Sequence, residues 1–132
     1  MNFFIEHIGL PARAPGSLRD WYVVSLGATC FAPNGQAPPF FIRLPGAAML
    51  LEIYPANNEN SPVDDNALAG WRHVALRVES IETTRIEMES RGVSFLDPIK
   101  SAAGGGRVLF FKDGEGNLLH LVDRPVGSLV GR

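Results

Sequence analysis

Apolar and polar residues alternate through Trp71–Glu79, with Val74, Leu76 and Val78 on one side and Trp71, His73, Ala75 and Arg77 on the other. A period of two predicts a strand that turns one face to a core. The second face carries an imidazole and a guanidinium, neither of which a core accepts without partners. The same pattern stands at the N-terminus. Phe4–Leu10 aligns with Gly70–Leu76, placing His7 on His73 at an offset of 66 residues. Leu50–Ile53 aligns with Leu118–Leu121 at an offset of 68, placing Glu52 on His120. Gly27 and Gly92, each closing a helical stretch, lie 65 residues apart. Three anchors at nearly one spacing indicate a duplicated module.

Each module reads strand, helix, strand, strand, strand. In the first, strands are predicted over Phe3–Leu10, Thr29–Pro33, Phe40–Leu44 and Ala48–Tyr54. Its helix is predicted over Ser17–Leu26, where Leu18, Trp21, Tyr22, Ser25 and Leu26 recur at helical spacing and Gly27 supplies the stop. Pro55–Gly70 reads as a linker and hinge. The second module has strands predicted over Trp71–Glu79, Val93–Leu96, Arg107–Lys112 and Leu118–Asp123. Ser80 caps a helix over Ile81–Arg91, which presents Ile81, Ile86 and Met88. Ser101–Gly106 reads as a flexible loop able to cover a cleft, and Asp113–Asn117 as a tight turn. The expected architecture is α+β: a module over residues 1–55, a linker over 56–70, a module over 71–124 and a loosely held tail over 125–132.

Composition narrows the partners. The 132 residues are 45% hydrophobic and 20% charged, with a net charge of −2 and both signs interspersed. That balance offers no footprint for nucleic acid or an anionic membrane. No apolar run approaches the roughly 18 residues of a membrane span, and the N-terminus has neither a basic leader nor a small-residue cleavage site. The expectation is a cytoplasmic protein with no nucleic-acid or membrane partner. Cys30, the single cysteine, cannot form an internal disulfide and reads as a packed side chain. Two small modules bury limited surface and leave sheet edges open, so a homodimer is expected.

All three histidines, at 7, 73 and 120, fall on predicted strands. An approximate two-fold relation between modules would set His7 against His73 and Glu52 against His120. Three neutral imidazoles and one carboxylate suit Zn, Ni, Fe or Mn rather than Ca or Mg. Each alone has a plainer reading as a satisfied polar residue; four at repeat-related positions favour a metal site. Arg77 lies two residues from Ala75 on the His73 face and is the best candidate to anchor an anionic substrate, with Trp71 beside it. Arg43 and Arg107 are weaker candidates with an ordinary surface-charge reading. Gly104–Gly106 is not a phosphate loop, since no helix start follows it.

The residues Glu6–Leu10, Arg72–Leu76 and Asp113–Asp123, within this repeated order, resemble the vicinal oxygen chelate superfamily over about residues 3–123. That group includes glyoxalase I, methylmalonyl-CoA epimerase, extradiol dioxygenases, fosfomycin-resistance proteins and metal-free bleomycin-binding proteins. The resemblance implies a curved mixed sheet around a divalent metal held by His7, Glu52, His73 and His120. It further implies a lyase or isomerase of the glyoxalase I type, acting on a small substrate with two adjacent oxygens through an enediolate. Glyoxalase I typically has glutamate at the fourth position, where this chain has His120. Glu52 is thus the sole carboxylate for proton transfer, with His120 as a second candidate base. The alternatives are an extradiol-type Fe(II) dioxygenase and a drug-binding resistance protein that does no chemistry.

Overall fold

The computed structural model of the chain describes residues 1–57, 62–128 and 130. Residues 58–61 of the expected linker and 129, 131 and 132 of the expected tail lie outside the described residues. The chain divides into two compact units, Met1–Ser61 and Pro62–Arg132.

In the first unit β1 (His7–Ala12) leads to α1 (Pro15–Leu26), then β2 (Thr29–Phe31), β3 (Phe40–Arg43) and β4 (Leu50–Pro55). The sheet order is β1-β4-β3-β2, with β1 parallel to β4 and the other pairs antiparallel. Alternation sends Phe40, Ile42, Leu51 and Ile53 to the face covered by α1, where all four are buried with Leu18 and Tyr22. Pro15 opens α1, where a missing N–H costs nothing, and Gly27 closes it at φ 69° with its N–H on the Val23 carbonyl. The first strand begins four residues later than Phe3. Its partner β4 starts at Leu50, opposite His7, so Phe3, Phe4 and Ile5 have no ladder to join and remain exposed.

The second unit repeats the order with β5 (His73–Arg77), α2 (Ile81–Ser90), β6 (Phe95–Ser101), β7 (Arg107–Lys112) and β8 (Leu118–Asp123), and sheet order β5-β8-β7-β6. Two βαβββ modules are therefore present, each a four-stranded mixed sheet with one helix. Leu109, Phe111, Leu119 and Leu121 form the buried face, with Ile81, Met88 and Val93. Ser80 caps α2, its Oγ accepting from the Thr83 N–H at 3.2 Å. Ile86 is not part of the inward stripe. It stands 70% exposed, because Ile81 and Met88, seven residues apart, define the buried line. Strand β6 extends beyond the predicted Val93–Leu96. It crosses Pro98 by an irregularity between Leu96 and Lys100 and resumes pairing, which an edge strand tolerates.

The glycine loop is fastened rather than free. Ala102 and Gly106 close it by a backbone hydrogen bond of 3.0 Å, and Arg124 Nη1 donates to the carbonyls of Ala103 and Gly105. Ser128 Oγ donates to the Gly104 carbonyl at 3.1 Å, so the start of the tail is tied down with the loop. Neither partner is near the loop in sequence, so local composition carried no sign of them.

Arg107 is fully engaged in ion pairs with Glu82 and Asp123, which gives it a structural role rather than the anchoring one considered above. Hydrogen bonds from Arg107, then a backbone hydrogen bond, pull the Glu82 carboxyl down to about 2. A carboxylate with a depressed folded pKa adds stability above its unfolded value and loses it as pH falls through the folded one. Glu82→Gln is thus expected to lower the urea midpoint at pH 7. The difference from wild type should shrink between about pH 4.5 and about pH 2. A gap that persists unchanged at pH 2 would assign the loss to something other than this charge.

Candidate metal centre and substrate face

The face of each sheet opposite its helix carries the polar residues. Register arranges them in matching rows. In the first sheet His7 lies beside Leu50, and Gly9, Glu52, Phe41 and Phe31 form the next row. In the second His73 lies beside Leu118 and Lys112, and Ala75, His120, Phe110 and Leu96 form the next row. His7 therefore corresponds to His73, Glu52 to His120, and Phe41 to Phe110. The duplication extends beyond the sequence pattern to the neighbours of each donor.

Each sheet brings its two candidate ligands together across the parallel strand pair. His7 Nε2 lies 3.0 Å from Glu52 Oε2. The rings of His73 and His120 lie with centroids 4.8 Å apart. A phenyl ring meets each histidine edge-on, Phe41 at 6.0 Å from His7 and Phe110 at 5.9 Å from His73. Phe110 also lies 4.9 Å from His120. From sequence Phe110 reads as core rather than ligand platform, and Phe41 gives no signal there.

The Nδ1 atoms are also placed alike. His7 Nδ1 faces the Glu6 carboxylate at 3.4 Å, His73 Nδ1 faces Asn66 Oδ1 at 2.7 Å, and His120 Nδ1 faces the Leu121 carbonyl at 3.1 Å. An Nδ1–H donated to oxygen leaves the Nε2 lone pair for a ligand, the arrangement found behind metal-bound imidazoles. Burial holds the His120 imidazole below its usual titration range, against the raising effect of its bond to Leu121 and together with the charges of His73 and Arg124. A neutral imidazole is the ligating form. The 3.0 Å between His7 and Glu52 is about the spacing of two donors each about 2.1 Å from one ion at a right angle. The donor set thus fits a divalent transition metal. Within neither unit do three or more His, Cys, Asp or Glu side chains gather among the described residues.

The remaining candidates are dispersed. Arg77, Val78, Glu79 and Arg124 line an open notch of about 430 Å³ at the end of the β5–β8 pair. Arg77 pairs in register with Val122, two residues beyond His120 on the same face. Trp71 precedes β5 and is 98% exposed. Arg43 is exposed at the end of β3, its guanidinium 5.0 Å from the centre of the Phe31 ring. Cys30, opposite Ile42, faces the helix side of its sheet.

Solved structures share this fold. A superfamily member from Sphaerobacter thermophilus is 21% identical with a TM-score of 0.72, covering 93% of this chain and 98% of its own. TnmS3, an antibiotic-binding protein from a Streptomyces species, is 20% identical with a TM-score of 0.69, covering 94% and 98%. A glyoxalase family protein from Enterococcus faecalis is 24% identical with a TM-score of 0.72, covering 90% and 96%. No curated protein matches the chain. The family model described as Glyoxalase/Bleomycin resistance protein/Dioxygenase superfamily matches residues 4–121, a span that takes in both helices, all four candidate ligands and every strand but the end of β8. With nearly the whole chain so matched, the protein belongs to the Glyoxalase/Bleomycin resistance protein/Dioxygenase superfamily.

Proposed function

We propose that the protein is a metal-dependent lyase or isomerase of the glyoxalase type, moving a proton beside a carbonyl in a small substrate with two adjacent oxygens. The observation that carries this reading is the repeated donor pair, His7 with Glu52 and His73 with His120, each histidine with an oxygen at Nδ1. His7, Glu52, His73 and His120 would hold Zn, Ni, Fe or Mn. When bound, such an ion polarises the carbonyl and stabilises the negative charge that develops on its oxygen.

The chain's own groups do the rest. Glu52 is the carboxylate placed to accept the substrate proton, 3.0 Å from the His7 imidazole. His120, buried and neutral, is the second group able to accept a proton. Arg77 offers an anion anchor at the notch, because it has no ion pair or hydrogen bond among the described residues. Trp71 and Arg43 are the further candidates for substrate contact, through an apolar plane and a charge. Exposed Met1, Phe3, Phe4 and Ile5 support the pairing of two copies, since clustered apolar surface favours a partner. No helix of the described residues is long and apolar enough to cross a membrane.

A second reading, a drug-binding protein without chemistry, draws on the rings of Phe41 and Phe110, which offer flat apolar surface beside the histidines. The deciding measurement is metal content by elemental mass spectrometry, on wild type and on His7→Ala and Glu52→Ala. Bound transition metal that both variants lose is the expected result. Wild-type protein that takes up none of Zn, Ni, Fe or Mn would overturn the proposal in favour of the binding protein. If the metal is iron, oxygen consumption with a catechol would favour the dioxygenase alternative.

A further inference from the structure

The segment from Pro62 to Gly70, which reads from sequence as part of a linker, is fastened across the His73 end of the second sheet. Asp64 pairs with Lys112 at 3.0 Å, and Lys112 shares the row of Leu118 and His73. The Arg72 guanidinium donates to the Pro62 carbonyl at 3.2 Å. Asp65 folds the backbone just beyond these ties, its Oδ1 accepting from the Ala67 N–H at 3.0 Å. Tied at its start and turned there, the segment presents Asn66 Oδ1 to His73 Nδ1 at 2.7 Å. An amide oxygen only accepts, so this contact requires the proton on Nδ1.

We infer that Asn66 is a positioning residue that selects the Nδ1–H tautomer of His73 and fixes the plane of its ring, leaving Nε2 as the electron-pair donor. The ties of Asp64 and Arg72 make this a property of the folded segment rather than of one side chain. For metal affinity the inference rests on the proposed metal site. The tautomer does not depend on it and can be read without metal.

The test labels the imidazoles with 15N and records nitrogen chemical shifts of metal-free protein at pH 8, for wild type, Asn66→Ala and Asn66→Asp. Zn²⁺ affinity is then measured for the same proteins by competition with a chelator. His73 should carry its proton on Nδ1 in wild type and in Asn66→Asp, whose carboxylate also accepts. In Asn66→Ala the ring should shift toward the Nε2–H form, and Zn²⁺ affinity should fall by about 10–100-fold. A wild-type His73 protonated on Nε2, or an Asn66→Ala variant with unchanged tautomer, would overturn the inference. The expected tautomers in a wild type that takes up no Zn²⁺ would uphold the role of Asn66 and remove the metal reading instead.

Discussion

Glu52→Gln is expected to lower turnover by about 10²–10⁴-fold while the first unit stays folded. The side chain of Glu52 is 25% exposed beside His7, and glutamine has the same shape. What glutamine lacks is the ability to take up a proton at neutral pH. The loss corresponds to about 3–5 kcal/mol of barrier. Deuterium exchange from solvent into a small substrate with two adjacent oxygens, followed by proton NMR, reads the step directly. Metal content measured alongside separates loss of the base from loss of a ligand. Full exchange in a metal-loaded Glu52→Gln variant would remove the proton-transfer role from Glu52 and turn attention to His120.

The largest effect on stability is expected at Gly106. Its φ of 95° lies where side chains are strained, and an added Cβ would overlap the carbonyl oxygen of Asp123, a backbone atom that cannot swing aside. Gly116 makes the comparison. It has a similar φ of 88°, yet nothing lies within 4 Å of its Cβ position. Gly116→Ala should cost about 1–2 kcal/mol from backbone conformation alone. Gly106→Ala should cost more, about 3 kcal/mol or above, a large part of the 5–15 kcal/mol that holds a domain together. Urea unfolding of both variants gives the comparison. Equal midpoints would mean that the overlap relaxes without cost and that β7 and β8 can part locally at Asp123.

The sequence carried the module order because both signals behind it are local: alternation along strands and repetition along the chain. Strands β7 and β8 matched to the residue, since a tight turn fixes both of their ends. Strand β1 did not, because its start depends on where β4 begins, forty-three residues away. Ile86 misled for a related reason: an apolar residue on a helix reads as inward until the sheet beneath chooses the face. At the candidate centre, His7, Glu52, His73 and His120 could be picked out because duplication aligned them. Asn66 and Phe41 could not. Asn66 stands in a stretch whose composition resembles a spacer, and its partner histidine is met only when that stretch folds back. The notch beside Arg77 and the pinning of the glycine loop by Arg124 likewise arise from neighbours brought together by the fold.

The fastening of residues 62–70 to the second sheet also decides where the chain can be cut for dissection. A fragment begun at Gly70, where the module first seems to start, would discard Asp64 and Asn66 and release Lys112, His73 and Arg72 from their partners. One begun at Pro62 keeps them. Expressed as two separate polypeptides, 1–61 and 62–132, the protein would retain every hydrogen bond described for the second half, so reassembly from those pieces is the cleaner route to studying either half alone.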